Sequence, residues 1–137
     1  MIFLDTSILS VSYRRKYRKD IDKPSEVLLL EKMILDNEPL VISGIVLQEF
    51  LSGLKEKAQF QRLQKLGECF PIIMATKQHH IEAAKIANTC RHNGVATSAT
   101  DCLIASITIE QNGQLFTIDR DFGYMANYCP IHLVPLI

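Results

Sequence analysis

Short apolar runs that end on a polar residue recur along this chain, and they constrain its fold more than any other feature. The first is Ile2-Phe3-Leu4, which meets Asp5-Thr6-Ser7. The same design returns at Leu40-Val41-Ile42-Ser43 and at Gln114-Leu115-Phe116-Thr117-Ile118-Asp119, and Pro71-Ile72-Ile73-Met74 with Ile131-His132-Leu133-Val134 completes a set of five candidate strands. Continuous apolarity without alternation predicts strands buried on both faces. Stretches of helical period lie between them. Val27, Leu30 and Ile34 recur after Pro24, which suits a helix's first turn. Leu47, Phe50, Leu51 and Leu54 follow Ser43, an N-cap residue, and Ala83, Ile86, Ala87 and Cys90 form a stripe along residues 76–92 that stops at Asn93-Gly94.

Parallel neighbours need crossover connections, so strands alternating with helices predict an α/β three-layer sandwich with a central parallel sheet. With 137 residues, the expectation is a single domain over 1–137 that buries enough surface to fold without disulfides or a structural metal. Cys69, Cys90, Cys102 and Cys129 form no C-x-x-C pair and read as small core hydrophobes or free thiols. No apolar run approaches the ~20 residues of a membrane helix and none reads as a secretory signal, so the expected setting is cytoplasmic, with no membrane partner.

Ligands of such sheets sit at the carboxyl ends of the strands. Asp5 follows the first strand and Asp119 the fourth; Glu49 lies in the helix after the second, and Asp101 opens the helix before the fourth. All four can approach one edge. Gathered carboxylates repel one another unless a cation holds them, and an all-oxygen set favours Mg²⁺ or Mn²⁺ over Zn²⁺. A cation in contact with a phosphodiester activates water and offsets the charge on the departing oxygen. Taken singly, each acid also has a structural reading. Asp5 suits the cap of a helix starting at Thr6, Asp119 the cap of one around 121–126, Ser98-Ala99-Thr100-Asp101 has capping-box form, and Glu49 lies off the apolar stripe where it can face water. The segment after Asp101, Cys102-Leu103-Ile104-Ala105-Ser106-Ile107, is apolar nearly all round, which predicts a buried helix carrying its acid into an interior cleft.

Charge is balanced, with 15 Lys and Arg against 15 Asp and Glu, and gives no general sign of nucleic-acid binding. Its distribution is uneven: Arg14, Arg15, Lys16, Arg18 and Lys19 hold five of the 15 positive charges. With Tyr13 and Tyr17, this segment reads either as an RNA contact through phosphates and stacking or as a solvated helix end. His80-Ile81-Glu82 fits the H-x-E of zinc deaminases but no P-C-x-x-C follows, so His79 and His80 read as ordinary helix residues. A phosphatase of the haloacid dehalogenase type needs an Asp where Ser7 stands. A response-regulator receiver needs its phosphorylated Asp after the third strand, which here ends in Met74-Ala75-Thr76.

Leu4-Asp5-Thr6-Ser7, Leu47-Gln48-Glu49-Phe50, Thr100-Asp101-Cys102-Leu103-Ile104-Ala105 and Thr117-Ile118-Asp119-Arg120-Asp121-Phe122 together resemble the PIN-domain ribonucleases. In length and spacing the chain is most similar to the VapC toxins of bacterial toxin–antitoxin pairs. The resemblance spans essentially the whole chain. It implies a sheet of order 3-2-1-4-5 and an endoribonuclease that uses Mg²⁺ or Mn²⁺ and cuts structured RNA, often tRNA or ribosomal RNA. It also implies a homodimer inhibited by a cognate antitoxin. By position, Asp5, Glu49, Asp101 and Asp119 match the family's acidic quartet, with Ser7 and Thr117 as steadying hydroxyls. Many relatives carry Asn where Asp119 stands. The stretch Gly94-Val95-Ala96-Thr97-Ser98 follows the family pattern only loosely. Asp121 reads as an outer-sphere partner of metal waters, as half of an ion pair, or as a first-turn helix carboxylate. Two alternatives remain open: a catalytically silent module that binds RNA or protein through the same fold, and an RNA-processing nuclease without an antitoxin.

Overall fold

A computed structural model describes residues 1–136; the last residue of the expected span, Ile137, lies outside them. The chain runs β1 (Ile2–Leu4), α1 (Thr6–Leu9), a π-helical turn (Ser10–Arg14), a 3₁₀ turn (Asp20–Asp22), α2 (Ser25–Leu35), β2 (Leu40–Ser43) and α3 (Gly44–Leu51). It continues with α4 (Lys57–Gly67), β3 (Ile72–Ile73), α5 (Lys77–His92), α6 (Ala99–Glu110), β4 (Gln114–Phe116), α7 (Arg120–Met125) and β5 (His132–Leu133). The five strands lie in the five apolar runs. They pair in the order β3-β2-β1-β4-β5, every neighbour parallel, with helices flanking the sheet.

Burial explains why the runs were continuous. Every residue of β1 and β2 is buried, as are Leu115 and Phe116 of β4, whereas the edge strands β3 and β5 are partly exposed. Phe3, Leu4, Ile42 and Phe116 pack with Phe50 and Ile104 from the helices into one core. Full burial of side chains of this size contributes about 1.5–3 kcal/mol each. As the pattern required, α6 is buried from Cys102 to Thr108.

Four helices leave through a residue in the left-handed region: Asn37 after α2, Gly53 after α3, Gly94 after α5 and Asn112 after α6, with φ of 53°, 83°, 78° and 52°. Asn and Gly tolerate that geometry at low cost, which lets the chain turn sharply at the end of each helix. All four cysteines are free thiols, with Cys90 and Cys102 fully in the core.

One helix has no counterpart in the sequence reading. In α4 only Leu63 and Gly67 are buried, and the rest is rich in Lys, Gln, Arg and Ala. Phe60, Leu63 and Leu66 recur at helical spacing among good helix formers, and Leu63 and Leu66 pack on the core.

Candidate metal centre

Parallel pairing of β1 with β4 brings two strand ends together, and the polar residues that follow each strand meet there. Asp5 continues the ladder through its N–H, which donates to the Phe116 carbonyl at 3.0 Å, and then caps α1. Only 4% of Asp5 is exposed. Its Oδ2 accepts from the Ser7 hydroxyl at 2.6 Å, the Thr117 hydroxyl at 2.7 Å and, at 3.4 Å, the Ser7 N–H. With three donors on Oδ2, the second oxygen is the one left to face a ligand.

The same hydroxyls organise the β4 side. Thr117 Oγ1 accepts the Asp119 N–H at 3.0 Å, and Ser7 Oγ accepts the Ile118 N–H at 3.2 Å. Asp119 in turn caps α7, its Oδ1 accepting the Asp121 N–H at 2.9 Å. Ser7 and Thr117 each touch Asp5 and the loop that bears Asp119.

Asp101 sits in the first turn of α6, where Ser98 is the N-cap and accepts its N–H at 3.0 Å. Carboxylate oxygens of Asp101, Asp119 and Asp121 all lie within 4.8 Å of one another, the group of this kind among the described residues. Asp5 and Glu49 do not join that tightest group, yet both act on it electrically. Burial pushes the Asp101 carboxyl up to about 6; the Ser98 hydroxyl works against the shift, and the charges of Asp119, Asp5 and Glu49 add to it. A carboxyl raised in this way, with all the other acids of the predicted quartet bearing on it, marks a site short of positive charge. Oxygen-only donors at this spacing fit a hard divalent cation.

Asp121 lies in the first turn of α7, as one of its readings required. It makes no ion pair among the described residues and instead stands in the acid group. Glu49, on α3, accepts the Thr6 hydroxyl at 2.7 Å through Oε1. Thr6 was not singled out from sequence. The available signal was its place beside Asp5, but a hydroxyl next to a cap has many ordinary uses.

The basic segment divides. Arg15, Lys16, Arg18 and Lys19 are exposed, while Arg14 is half-buried and spends its guanidinium on backbone carbonyls of Phe50 and Ser52. The Tyr17 hydroxyl donates to the Val11 carbonyl at 2.7 Å, and the half-buried Tyr13 packs on the core, where burial pushes its phenol up. Outside this site, His79 is buried and closes a capping box with Thr76, while Glu82 pairs with Lys85.

The sequence matches the PIN domain family over residues 2–128. Among solved structures, the chain is similar to FitAcB from Neisseria gonorrhoeae, with 20% identity, TM-score 0.76, and coverage of 98% of this chain and 97% of that one. VapBC-1 from nontypeable Haemophilus influenzae gives 23% identity and TM-score 0.74 over 98% and 97% of the two chains. VapC20 from Mycobacterium tuberculosis, described as a sarcin-ricin loop cleaving toxin, gives 16% and 0.65 over 96% and 98%. No curated protein gives a significant match.

Proposed function

The chain belongs to the PIN domain family, and from that premise we propose that it is a divalent-metal-dependent endoribonuclease, the toxin of a toxin–antitoxin pair. The observation that carries the reading is the acid group at the β1–β4 strand ends. Asp101, Asp119 and Asp121 lie within 4.8 Å of one another, and the charges of Asp5 and Glu49 reach Asp101. Asp5, Glu49, Asp101 and Asp119 would hold Mg²⁺ or Mn²⁺, and Asp121 would orient water at the edge. A bound cation supplies charge that acidifies a water and offsets the charge developing on the scissile phosphate.

The chain's own groups do the rest. Asp5 is locked by three donors, so its free oxygen stays aimed without a reorganisation cost. Thr6 and Thr117 hold Glu49 and the Asp119 loop in register.

Structured RNA, tRNA or ribosomal, is the proposed substrate, supported by the fold shared with a sarcin-ricin loop cleaving toxin. An antitoxin partner is supported by the fold shared with VapBC-1, and a homodimer in a cytoplasmic setting completes the reading. Purified chain, freed of any partner, is incubated with total cellular RNA and Mn²⁺ or Mg²⁺. Discrete fragments that vanish with EDTA and with Asp5→Asn are the expected result. No metal binding at all would leave a silent binding module instead.

A further inference from the structure

The helix that delivers Glu49 ends on a contact from the basic segment. Arg14, the last residue of the π-helical turn, donates from Nη2 to the Phe50 carbonyl and, at 3.3 Å, to the Ser52 carbonyl. Its guanidinium carbon lies 5.5 Å from the centre of the Phe50 ring, and its Nε is buried with no hydrogen-bond partner. These carbonyls belong to the last turn and cap of α3, where no later N–H of the helix can reach them. A cation there satisfies them and complements the negative end of the helix. With eight residues, α3 is well below the ~12–15 at which a helix stands alone. Contacts of this kind therefore decide where its last turn lies.

Glu49 is the residue before Phe50, and its carboxylate accepts the Thr6 hydroxyl at 2.7 Å. The helical segment that Asp5 caps thus grips α3 at two points: Thr6 takes the Glu49 side chain, and Arg14 takes the backbone beside it. The placement of Glu49 relative to Asp5 depends on both. We propose that Arg14 is a positioning residue of the metal centre, fixing Glu49 against Asp5, Asp101 and Asp119, and not an RNA contact. This rests on the metal-nuclease reading. Lysine is a poor substitute, because one ammonium lacks the planar fork that reaches carbonyls while lying over a ring.

The test titrates Mn²⁺ into the full chain and reads free Mn²⁺ by electron paramagnetic resonance, with circular dichroism as the check of fold. Wild type is compared with Arg14→Gln, Arg14→Lys and Thr6→Val, alone and with Glu49→Gln. Residues that orient a metal's ligands typically matter by about 10-fold or more in affinity, and a loss of that size is expected in Arg14→Gln, with a smaller loss in Arg14→Lys. Cleavage by Arg14→Gln recovers at saturating Mn²⁺ with KM for RNA unchanged, and adding it to Glu49→Gln costs nothing further. Wild-type Mn²⁺ affinity in folded Arg14→Gln overturns the proposal, as does a raised KM for RNA with metal affinity intact. If Arg14→Gln fails to fold, the same readout on Arg14→Lys decides. A wild-type chain that binds no Mn²⁺ overturns the metal reading and this inference with it, whereas a metal-binding wild type beside an indifferent Arg14→Gln overturns this inference alone.

Discussion

The Thr117 hydroxyl donates to Asp5 Oδ2 across 2.7 Å, joining positions 112 residues apart, while its oxygen accepts the Asp119 N–H at 3.0 Å. One atom therefore serves both strand ends. Thr117→Val keeps the shape, removes a donor from a buried carboxylate and leaves an N–H without its acceptor. The expected loss of stability is about 1–3 kcal/mol, measured by urea unfolding, with Thr117→Ser much closer to wild type. On the proposed function, Thr117→Val also weakens Mn²⁺ binding, because Asp5 and the Asp119 loop are no longer tied to one point.

Asp101 makes the metal-free protein sensitive to pH. Its carboxyl is raised from 3.8 to about 6, first by burial and then by Asp119, Asp5 and Glu49, with Ser98 opposing. The folded state then binds a proton more tightly than the unfolded state does. This site therefore costs no stability below pH ~4, loses stability as pH rises towards about 6, and holds its full penalty above that. Asp101→Asn should stabilise the metal-free chain at pH 7.5 by about 1 kcal/mol after allowance for solvent screening, with the difference fading by pH ~4. Thermal melts of both proteins across that range, in EDTA, check the sign. A variant equally stable or less stable at pH 7.5 would mean that the acids do not strain the fold.

What the sequence disclosed followed from burial. The central strands β1, β2 and β4 and the helix α6 are enclosed by the core, so their residues are apolar in unbroken runs and could be read directly. Asp5 and Asp119 could be picked out by the same logic, since each follows an apolar run, and Asp101 because it opens one, whereas Glu49 lies off the stripe of its helix. Hidden from it were features whose energy lies in single contacts. Helix α4 reaches the core only through the narrow stripe of Leu63, Leu66 and Gly67 in an otherwise polar segment. Arg14 sits in a run of cations like its neighbours, and only the π-helical turn and the nearby carbonyls of α3 distinguish it. Asp121 had three readings that no spacing could separate, because its meeting with Asp101 depends on how α6 and the start of α7 pack across the site.

The pair α5 and α6 is joined by His79, which is buried and bonds in two directions. The Thr76 N–H donates to Nδ1 at 2.9 Å, so the neutral ring carries its hydrogen on Nε2 and donates it to Glu110 at 3.1 Å. Ser106 of α6 adds a bond to the His79 carbonyl at 2.9 Å. His79→Ala should lower stability by about 1–3 kcal/mol through the orphaned cap and the lost packing. Since α6 carries Asp101 at its other end from Glu110, Mn²⁺ affinity of the folded variant should stay near wild type. A loss of metal binding that exceeds the loss of stability would tie this staple to the site.

The four exposed cations of the basic segment, Arg15, Lys16, Arg18 and Lys19, are the ones free to meet phosphate, and Arg14 is not. Binding of RNA through them is an ion-exchange process, so its strength should fall with salt in proportion to the contacts made. For single strands each contact contributes a slope of roughly 0.7 in log affinity against log salt. Arg15→Glu with Lys16→Glu should therefore weaken RNA binding and flatten that slope by about 1–2, while Mn²⁺ affinity stays unchanged because neither residue touches an acid of the site. Uncut RNA is secured by making the measurement in the Asp5→Asn background with fluorescence anisotropy. An unaltered slope with the fold intact would assign these charges to a solvated helix end and move the RNA surface elsewhere on the strand-end face.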